Sequence, residues 1–592
     1  MLQKLTTDIL VVGGGTGGTA AAIQAARRGA NVVLVSEFSW LGGMLTSAGV
    51  CAPDGNELMA WQTGIWGEFL RELQLRHPKG LDWGWVSFFN FDPRIGAKIF
   101  IDWVTALPNL TWIRDRVPLE VLKTGDRVFG VRFSDMEIRA QIVIDGTELG
   151  DLLPLAEISH RWGWELKNEF NEPSAPEHPN PLTQKYPIQL PTWVVLLQDF
   201  GDGEIAPEIP PPPNYEESHY ADAWQGYKPE EFINYGRLPN NLLMVNWPKS
   251  GNDYGEGLER LVQSPTARQE FLQEAYWHSQ GFAYFIQTHL DRRYGLANNI
   301  FSHNGQTPFA PTTGFALHPY YRESRRIKGL QTVTESDILP VENGTVGRLW
   351  PDAIAIGNYD NDHHYPLPFS PISKTLRWGG RITGTPFTIP YGCLIPEAID
   401  GFLACEKNIS VSHIANGSTR LQPLVLNIGQ AAGMAAALCV EKGCQPRELS
   451  GKLLQNALLT DTIAPAGIVP LFNSLPTDGD WLDWQQYYRD RVSSYPKNGY
   501  SPVTKTVGAN GVCPPNNTET FSGIFCRLGE QHYQLQTRDR LWTVVTLHPD
   551  IDRALQTVPH NTQISGRGCF NRAGNWIIID SISGLRSDTA HA

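Results

Sequence analysis

The sequence predicts an α/β protein with a nucleotide-binding first domain, an inserted α+β domain and a small C-terminal β-barrel-like module. Residues 8–28 run from an apolar strand pattern through a glycine-rich turn into an alanine-rich helix pattern, and a second alanine-rich helix pattern covers 424–438. Several short alternating β segments lie between 521 and 582. Because 592 residues exceed what one core usually needs, two or three domains are expected.

The first predicted element is a Rossmann-type βαβ unit, in which residues 8–12 and 31–36 are the strands and 19–28 the helix. The turn between them contains Gly13, Gly15, Thr16, Gly17 and Gly18. A glycine directly after the strand permits the tight turn, the next lets the backbone approach a pyrophosphate, and the last lets helix and strand pack closely. The helix N-terminus then offers N–H groups to the negative charge.

The acid that follows the second strand indicates which nucleotide is bound. Glu37 lies 24 residues after Gly13, where a carboxylate accepts hydrogen bonds from an adenosine ribose, and no arginine follows to bind the 2′-phosphate of NADP. Gly42, Gly43 and Met44 then form a loop that must pass close to a bound group. The chain next departs from the βα repeats of NAD dehydrogenases and returns with a β-meander pattern at 116–143, which favours FAD.

Three further segments carry a resemblance to a known family. Residues 142–151 resemble a D-A-T-G signature, with Asp145 as its acid and Gly146 in place of the alanine; residues 321–329 and 408–434 are similar to two more motifs. Through these segments the chain resembles FAD-dependent oxidoreductases of the glutathione-reductase-like, two-dinucleotide-binding-type superfamily. The resemblance implies FAD as cofactor, with the signature around Asp145 and Gly146 returning the meander to the FAD domain.

The segment 408–434 resembles the C-terminal FAD motif of that family. The resemblance places His413 near the isoalloxazine ring and Gln430 and Gly433 in the FAD-binding segment. A turn before the predicted helix 424–438 would direct N–H groups at the electron-rich edge of a reduced flavin. On periodicity alone, a buried core helix is the favoured explanation of the same residues, and the pairing with the N-terminal unit reverses that preference.

The predicted catalytic residues are His413, Arg420, His363 and His364. His413 is a candidate base, although a structural histidine explains it as well. The polar run 360–365 would line the mouth of a substrate site, and no metal is predicted because adjacent side chains on a strand point apart. Arg420 would clamp a substrate carboxylate. Four further arginines are either clamps or partners of structural acids: Arg322, Arg325, Arg326 and Arg381.

Four regions are predicted. An FAD-binding domain comprises 1–155 plus 385–445, a substrate or cap domain 156–384, an extended linker that wraps the core 446–520, and a small β module, OB-like in form, 521–592. The β module has no aromatic-plus-basic stripe for nucleic acids. We expect it to serve packing or homo-oligomerisation.

The composition of the chain limits the classes of partner that we expect it to bind. With 48 basic and 61 acidic residues the net charge is −13, which argues against nucleic-acid and anionic-membrane surfaces. No charged-then-apolar leader and no membrane-length apolar run is present, so a cytoplasmic location and a small-molecule substrate are expected. The eight cysteines form no C-x-x-C pair, which predicts reduced thiols and disfavours disulfide reductase activity.

The predicted function is an FAD-dependent dehydrogenase or oxidase that removes hydride from a C–H next to nitrogen or oxygen of a small polar substrate. Reduction of an activated double bond is the alternative, and flavin hydroxylation stays open. From a different class, the chain would be a flavin-bearing electron-transfer or assembly subunit. The aromatic-rich stretches 61–115 and 151–320 match no motif that names a substrate.

Overall fold

The computed structural model describes residues 2–301, 314–502 and 518–583. The strands of its central sheet are β1 Gln3–Val12, β2 Val32–Val35, β3 Leu110–Ile113, β4 Glu120–Thr124, β5 Arg127–Arg132 and β6 Met136–Asp145. They lie in the order β3-β2-β1-β6-β5-β4, and the short strand Phe402–Ala404 pairs with the last three residues of β6. Neighbours among β1, β2, β3, β6 and Phe402–Ala404 are parallel, whereas β4 and β5 form an antiparallel meander. The predicted Rossmann-type domain is confirmed, and the carboxyl ends of its parallel strands meet at one edge.

Two alanine-rich helices cover one face of this sheet. The first is α1, Thr16–Arg27, and the second is the long buried helix Gln422–Lys442. A Cβ added at Gly429 would lie 2.1 Å from the carbonyl oxygen of Gly17, and one added at Gly433 would lie 2.1 Å from that of Ala21. The two helices therefore pack backbone against backbone, as the small residues predict.

The helix Gln422–Lys442 is also, within the described ranges, the one helix long and apolar enough to cross a membrane. The window that meets this test has a mean hydropathy of 1.6, and 94% of it is buried inside the protein. These properties are those of a core helix.

The inserted region is a mixture of helices and small sheets. Val195–Asp199 lies between Tyr294–Leu296 and Leu242–Val245 in an antiparallel sheet, and the long helix Pro265–His289 packs beside it. The Ser264 hydroxyl caps this helix by accepting from the Ala267 N–H at 3.1 Å, as the Ser-Pro start predicts. Three two-stranded sheets complete the region: His160–Arg161 with Arg326–Ile327, Ala353–Asn358 with Pro386–Pro390, and Leu376–Trp378 with Arg381–Thr383.

The remaining helices of the body are short, apart from two that follow the glycine loop. They are Gly64–Arg76, Pro93–Thr105, Leu152–Leu155, Lys167–Phe170, Pro181–Lys185, Pro229–Ile233, Arg260–Gln263, Glu335–Ile338 and His413–Thr419.

The segment predicted as an extended linker contains two helices, Gly451–Leu459 and Trp481–Asp490. The second buries Trp481, Gln485 and Tyr488, which share one helix face. Prolines, glycines and asparagines on both sides of this helix concealed it in the sequence. Residues 503–517 of the predicted linker and 584–592 of the predicted module lie outside the described residues.

The C-terminal module is a closed five-stranded barrel, as predicted. Its strands are Glu519–Gly529, His532–Gln536, Leu541–Val545, Thr562–Asn571 and Trp576–Ile582. The third and fifth strands are parallel, the fourth closes on the first, and the helix Pro549–Thr557 lies between strands three and four. This is the connectivity of an OB-fold. The barrel docks on the body, where the Thr546 N–H donates to the Gly379 carbonyl at 2.7 Å.

Cysteine pairing differs in part from the prediction. Cys51, Cys393, Cys405, Cys439, Cys444 and Cys526 are free. Cys569 is disulfide-bonded, so the expectation of reduced thiols is wrong for this residue. Sequence spacing could not show this, because a pairing without a short motif depends on what the fold brings together.

Candidate functional site

The glycine-rich turn is in backbone contact with two other strand ends. Gly13 has a φ of +106°, and a Cβ there would lie 2.1 Å from the Gly146 carbonyl oxygen. A Cβ at Gly17 would lie 1.7 Å from the carbonyl oxygen of Cys405, and one at Gly18 2.1 Å from that of Gly13. The turn after β1 is therefore set directly against the ends of β6 and Phe402–Ala404, an approach that side chains would prevent.

The N-terminus of α1 binds an anionic oxygen. The Gly17 N–H donates to Glu406 Oε1 at 2.5 Å, and a Cβ at Gly15 would come equally close to that oxygen. Lys407 Nζ lies 3.2 Å from Glu406 Oε2 and 2.7 Å from Glu148 Oε2. Burial raises the pKa of Glu406 to about 7, against the opposing charge of Lys407. The helix terminus and a buried ammonium thus provide the environment that a pyrophosphate requires.

The Glu37 side chain is accessible to solvent, and yet protein atoms surround it on most sides. Desolvation raises its pKa to about 7, although the charge of Arg268 opposes the rise. Both observations fit a side chain that lines a cleft. The next residue, Phe38, stacks on His318 with ring centroids 4.9 Å apart. The predicted ribose-binding acid therefore lies in a cleft at the carboxyl end of β2.

The second glycine loop closes over the first. Gly42 and Gly43 have φ values of +103° and +50°, and the Thr16 hydroxyl donates to the Gly42 carbonyl at 2.9 Å. A Cβ at Gly43 would lie 2.6 Å from the backbone nitrogen of Thr16. Met44 is fully buried in the core below. The structure thus brings the two predicted loops together.

Three predicted cofactor residues, Asp145, Gln430 and Gly433, contact other parts of the protein. Asp145 Oδ1 accepts from the N–H and hydroxyl of Thr147 at 2.9 and 2.6 Å, and burial raises its pKa to about 7. Gln430 accepts from the Ile65 N–H at 3.0 Å and donates to Gln24 and Ala464. Gly433 lies against α1. The structure gives these residues protein partners, and their contact with the cofactor stays a prediction.

His413 is completely buried. Its Nδ1 lies 2.8 Å from Glu323 Oε1 and its Nε2 2.7 Å from the Tyr365 hydroxyl, so both ring nitrogens are engaged. Burial, and then the charge of Arg326, lower its pKa well below the ordinary value. A base must reach a proton of the substrate, and this ring has no exposed face. Its catalytic role stays a prediction, and the contacts favour a positioning role.

The adjacent histidines point apart, as predicted for neighbouring side chains. The His363 ring nitrogen Nε2 forms a hydrogen bond with the Ile414 carbonyl at 3.0 Å, and burial lowers the pKa of His363 to about 3. His364 lies between two carboxylates, with Nδ1 3.1 Å from Asp253 Oδ2 and Nε2 2.9 Å from Asp362 Oδ2. In the described parts of the chain, no group of three or more histidine, cysteine, aspartate or glutamate side chains is placed to hold a metal.

Arg420 joins the same network. It donates to Asp362 Oδ2 at 2.8 Å and to the Tyr320 hydroxyl at 2.6 Å. Burial alone would raise the pKa of Asp362, but His364 and Arg420 hold it well below its ordinary value. At the other end, Arg322 pairs with Asp253 at 3.1 Å. The result is a chain of alternating basic and acidic side chains: Arg322, Asp253, His364, Asp362 and Arg420.

Two of the other predicted arginines pair with structural acids. Arg325 pairs with Asp151 at 3.0 Å, and the fully buried Arg326 pairs with Glu165 at 2.9 Å. For these two, the interpretation as partners of structural acids agrees with the contacts.

Asp54 was not predicted from the sequence. Among the residues that the structure describes, its half-buried side chain has no hydrogen-bond or ion-pair partner. Desolvation, followed by the charge of Glu57, raises its pKa to about 8, while Arg381 and Arg420 oppose the rise. The only sequence signal is its place in a Pro-Asp-Gly turn shortly after the glycine loop, a common setting for functional loop residues.

Two tyrosines lie beside Asp54. Tyr235 and Tyr359 are half-buried, and the negative charge of Asp54 contributes to the raised pKa of each hydroxyl after desolvation. Neither hydroxyl has a side-chain partner in the described ranges. Asp54 therefore lies among polar side chains, those of Tyr235, Tyr359 and the Asp362–Arg420 pair, and we call this group the polar cluster.

Residues 8–458 match the family described as FAD dependent oxidoreductase. This chain belongs to that family. Digoxin reductase of Eggerthella lenta is 30% identical over 102 residues, which cover 14% of this chain and 18% of that protein, so the match spans only a small part of that relative.

Two solved structures resemble most of the chain at low similarity. A geranylgeranyl bacteriochlorophyll reductase-like protein from Thermoplasma acidophilum is 9% identical, with coverage of 83% of this chain and 88% of that one and a TM-score of 0.32. Quinol fumarate reductase FrdA of E. coli is 12% identical, with coverage of 78% and 76% and a TM-score of 0.28.

The cofactor of this family is FAD, and the residues present fit it. The N–H at the start of α1 already binds a carboxylate oxygen, the glycine loops leave backbone rather than side chains at the turn, and Glu37 faces a cleft. Gly15, Gly17, Gly42, Gly43 and Glu37 would hold the dinucleotide. The chain is therefore an FAD-dependent oxidoreductase.

Proposed function

We propose that this enzyme oxidises an alcohol carbon, a C–H next to oxygen, in a small polar substrate. The observation that carries the proposal is Asp54, a carboxyl group of the polar cluster that has no hydrogen-bond or ion-pair partner among the described residues and whose pKa is raised to about 8. A general base works best when its pKa lies near the working pH, and the pKa of Asp54 lies close to neutral pH.

The reaction divides the two hydrogens of the alcohol. Bound FAD supplies the two-electron acceptor for the hydride that leaves the substrate carbon. The Asp54 carboxylate takes the proton of the hydroxyl, so the C–H and O–H bonds break and a C=O bond forms. The proton then passes from Asp54 to water. The substrate loses two electrons in total.

Arg420 and Asp362 would orient the substrate. Asp362 is 38% exposed at its side chain, whereas Arg420 is 3% exposed and held by Asp362 and Tyr320. A rigid donor and acceptor pair of this kind aligns a hydroxyl group with little loss of side-chain entropy. The arginine favours the partial negative charge that develops on the oxygen as its proton leaves.

The direction of the pH dependence tests this proposal. We expect the rate of anaerobic flavin bleaching by an alcohol substrate to rise with pH to a plateau, with a midpoint near the raised pKa of Asp54, about 8, because Asp54 must be ionised to accept a proton. Asp54→Asn should lower the plateau rate by about 100-fold or more and abolish this rise. Stopped-flow absorbance of the holoenzyme measures both. A wild-type rate that does not depend on pH between about 6 and about 9 would contradict the proposal.

Reduction of an activated double bond is the second candidate, because Asp54 is largely protonated below its raised pKa and would then act as a proton donor. For that reaction the pH dependence is reversed: reoxidation of the reduced holoenzyme by an enone or enoate should become slower as pH rises. Reduced enzyme that an enoate reoxidises, in a protein that no alcohol bleaches, would favour this second function.

A further inference from the structure

We propose that the cavity next to His364 binds a polyhydroxylated, sugar-like substrate. This inference rests on the proposed function and names its substrate class. The cavity measures about 660 Å³, within the ordinary range for small-molecule sites. Asp362 and His364 belong both to its wall and to the chain of basic and acidic side chains that ends at Arg420. Through Asp362, the cavity therefore adjoins the polar cluster around Asp54.

One wall of the cavity offers hydrogen-bond acceptors. Asp253 and Asp362 both line it, and despite burial Arg322 and His364 lower the pKa of Asp253 to about 2. Asp362 Oδ1 accepts no hydrogen bond from any described residue, while Oδ2 is shared by His364 and Arg420. Ionised carboxylates are acceptors only, so they suit the O–H groups of a ligand. A hydroxyl bound here would make a charge-assisted hydrogen bond.

A second set of lining residues presents aromatic rings: Tyr186, Tyr254 and Tyr365. The Tyr254 hydroxyl is bound to Glu274 at 2.6 Å and that of Tyr365 to His413 at 2.7 Å. Because these hydroxyls are engaged, the rings contribute mainly their apolar bodies. A sugar ring has C–H faces that pack on such surfaces and equatorial hydroxyls that reach polar groups around them. The alternation of rings and carboxylates matches that chemistry.

The charges of the cavity disfavour an anionic ligand. Asp253, Asp362 and Glu256 line it, and the lining lysine, Lys249, donates its Nζ to the Gln225 carbonyl at 2.5 Å. A substrate carboxylate or phosphate would meet these carboxylates at close range. An organic amine would be attracted as its ammonium ion, but that single group would leave the other acceptors of the wall without a hydrogen-bond donor. The combination favours a neutral polyol.

Binding can be measured without turnover. Isothermal titration of the holoenzyme with D-glucose, D-galactose and myo-inositol, with L-lactate and benzylamine as comparisons, should show binding of at least one polyol and none of lactate. Tyr254→Ala should weaken that binding by about tenfold through loss of apolar contact, whereas Tyr254→Phe should retain it. Tyr487→Ala is the matched control, because Tyr487 is 40% exposed and is not part of the cavity wall.

The outcomes separate this inference from the proposed function. Polyol binding that Tyr254→Ala weakens, in a protein whose flavin no polyol bleaches, would support the cavity and contradict the proposed oxidation. Bleaching by benzylamine or lactate without polyol binding would overturn the substrate class. An equal effect of Tyr254→Ala and Tyr487→Ala would also overturn it, because the cavity would then not be the binding site.

Discussion

Asp54 has an energetic effect that can be measured apart from catalysis. Its folded pKa of about 8 lies above the ordinary value of about 4, so between these pH values the unfolded chain releases a proton that the folded chain retains. By linkage, folding stability falls as pH rises through this window and is constant above it. The proton acceptor therefore destabilises the fold in the pH range where it would be active.

We therefore expect Asp54→Asn to raise Tm relative to wild type, and by more at about pH 9 than at about pH 5, because the amide cannot ionise. Differential scanning calorimetry of both proteins at the two pH values measures this difference. Asp126→Asn removes an exposed carboxylate and is the control. The same gain in Tm at both pH values would show that Asp54 is not desolvated.

At the residue scale, the sequence predicted the backbone geometry of the glycine-rich turn better than the surroundings of the candidate catalytic residues. Gly13, Gly17 and Glu37 belong to a local motif whose geometry follows from the backbone. His413 was selected for its residue type, but burial and two hydrogen bonds give it no exposed face. Asp54 was missed, because its raised pKa arises mainly from desolvation in the folded chain, which the local sequence does not show.

At the scale of elements, the contact between α1 and the helix Gln422–Lys442 connects the two sequence segments of the FAD domain. Gly433 permits this contact, and Gly433→Ala would place a Cβ 2.1 Å from a backbone oxygen of α1. Because that oxygen belongs to a packed helix, the helices must separate. We expect a loss of about 1–3 kcal/mol in the free energy of unfolding, together with weaker FAD retention.

Urea unfolding and the flavin content after gel filtration measure these two effects. Gly479→Ala is the matched control, since a Cβ there meets nothing within 4 Å. Equal stability of the two variants would mean that the helices tolerate a wider spacing.

Elements with strong local signals were predicted from the sequence, including the βαβ unit and the long helix that begins after Ser264. The helix Trp481–Asp490 was not predicted. Its aromatic residues bury one face against their own small cluster, so tertiary packing rather than helix propensity explains it. Surrounding turn-forming residues then outweighed its periodicity.

At the scale of the whole molecule, the barrel contacts residues that lead to Arg381, whose charge acts on Asp54 of the polar cluster. Trp576 of the barrel donates to Asp82 at 3.0 Å and packs edge-on against Phe88 at 5.3 Å. The Arg381 guanidinium lies 4.0 Å from the Phe88 ring and 3.2 Å from Glu57 Oε1. The barrel strands were predicted from their alternating pattern, but this docking was not, because it joins residues far apart in sequence.

We expect Trp576→Leu to move the midpoint of the pH profile upwards by on the order of one pH unit. Arg381 lowers the pKa of Asp54, so an arginine that loses its aromatic support stabilises the ionised carboxylate less. The same stopped-flow measurement records the midpoint. Trp542→Leu is the control, since Trp542 packs on Phe570 in the barrel. A midpoint that moves equally in both variants would indicate general loosening of the barrel.

The paired strands of the FAD domain also set an order of events during synthesis. The end of β6 is paired only after Phe402–Ala404 has been synthesised, some 260 residues later. In the same way, α1 is covered only after the helix Gln422–Lys442 has been synthesised. On a translating ribosome, the nascent N-terminal half emerges with an unpaired strand edge and an uncovered helix face. Flavin loading is therefore a late event, and a nascent chain stalled before Ala404 should depend on chaperones to remain soluble.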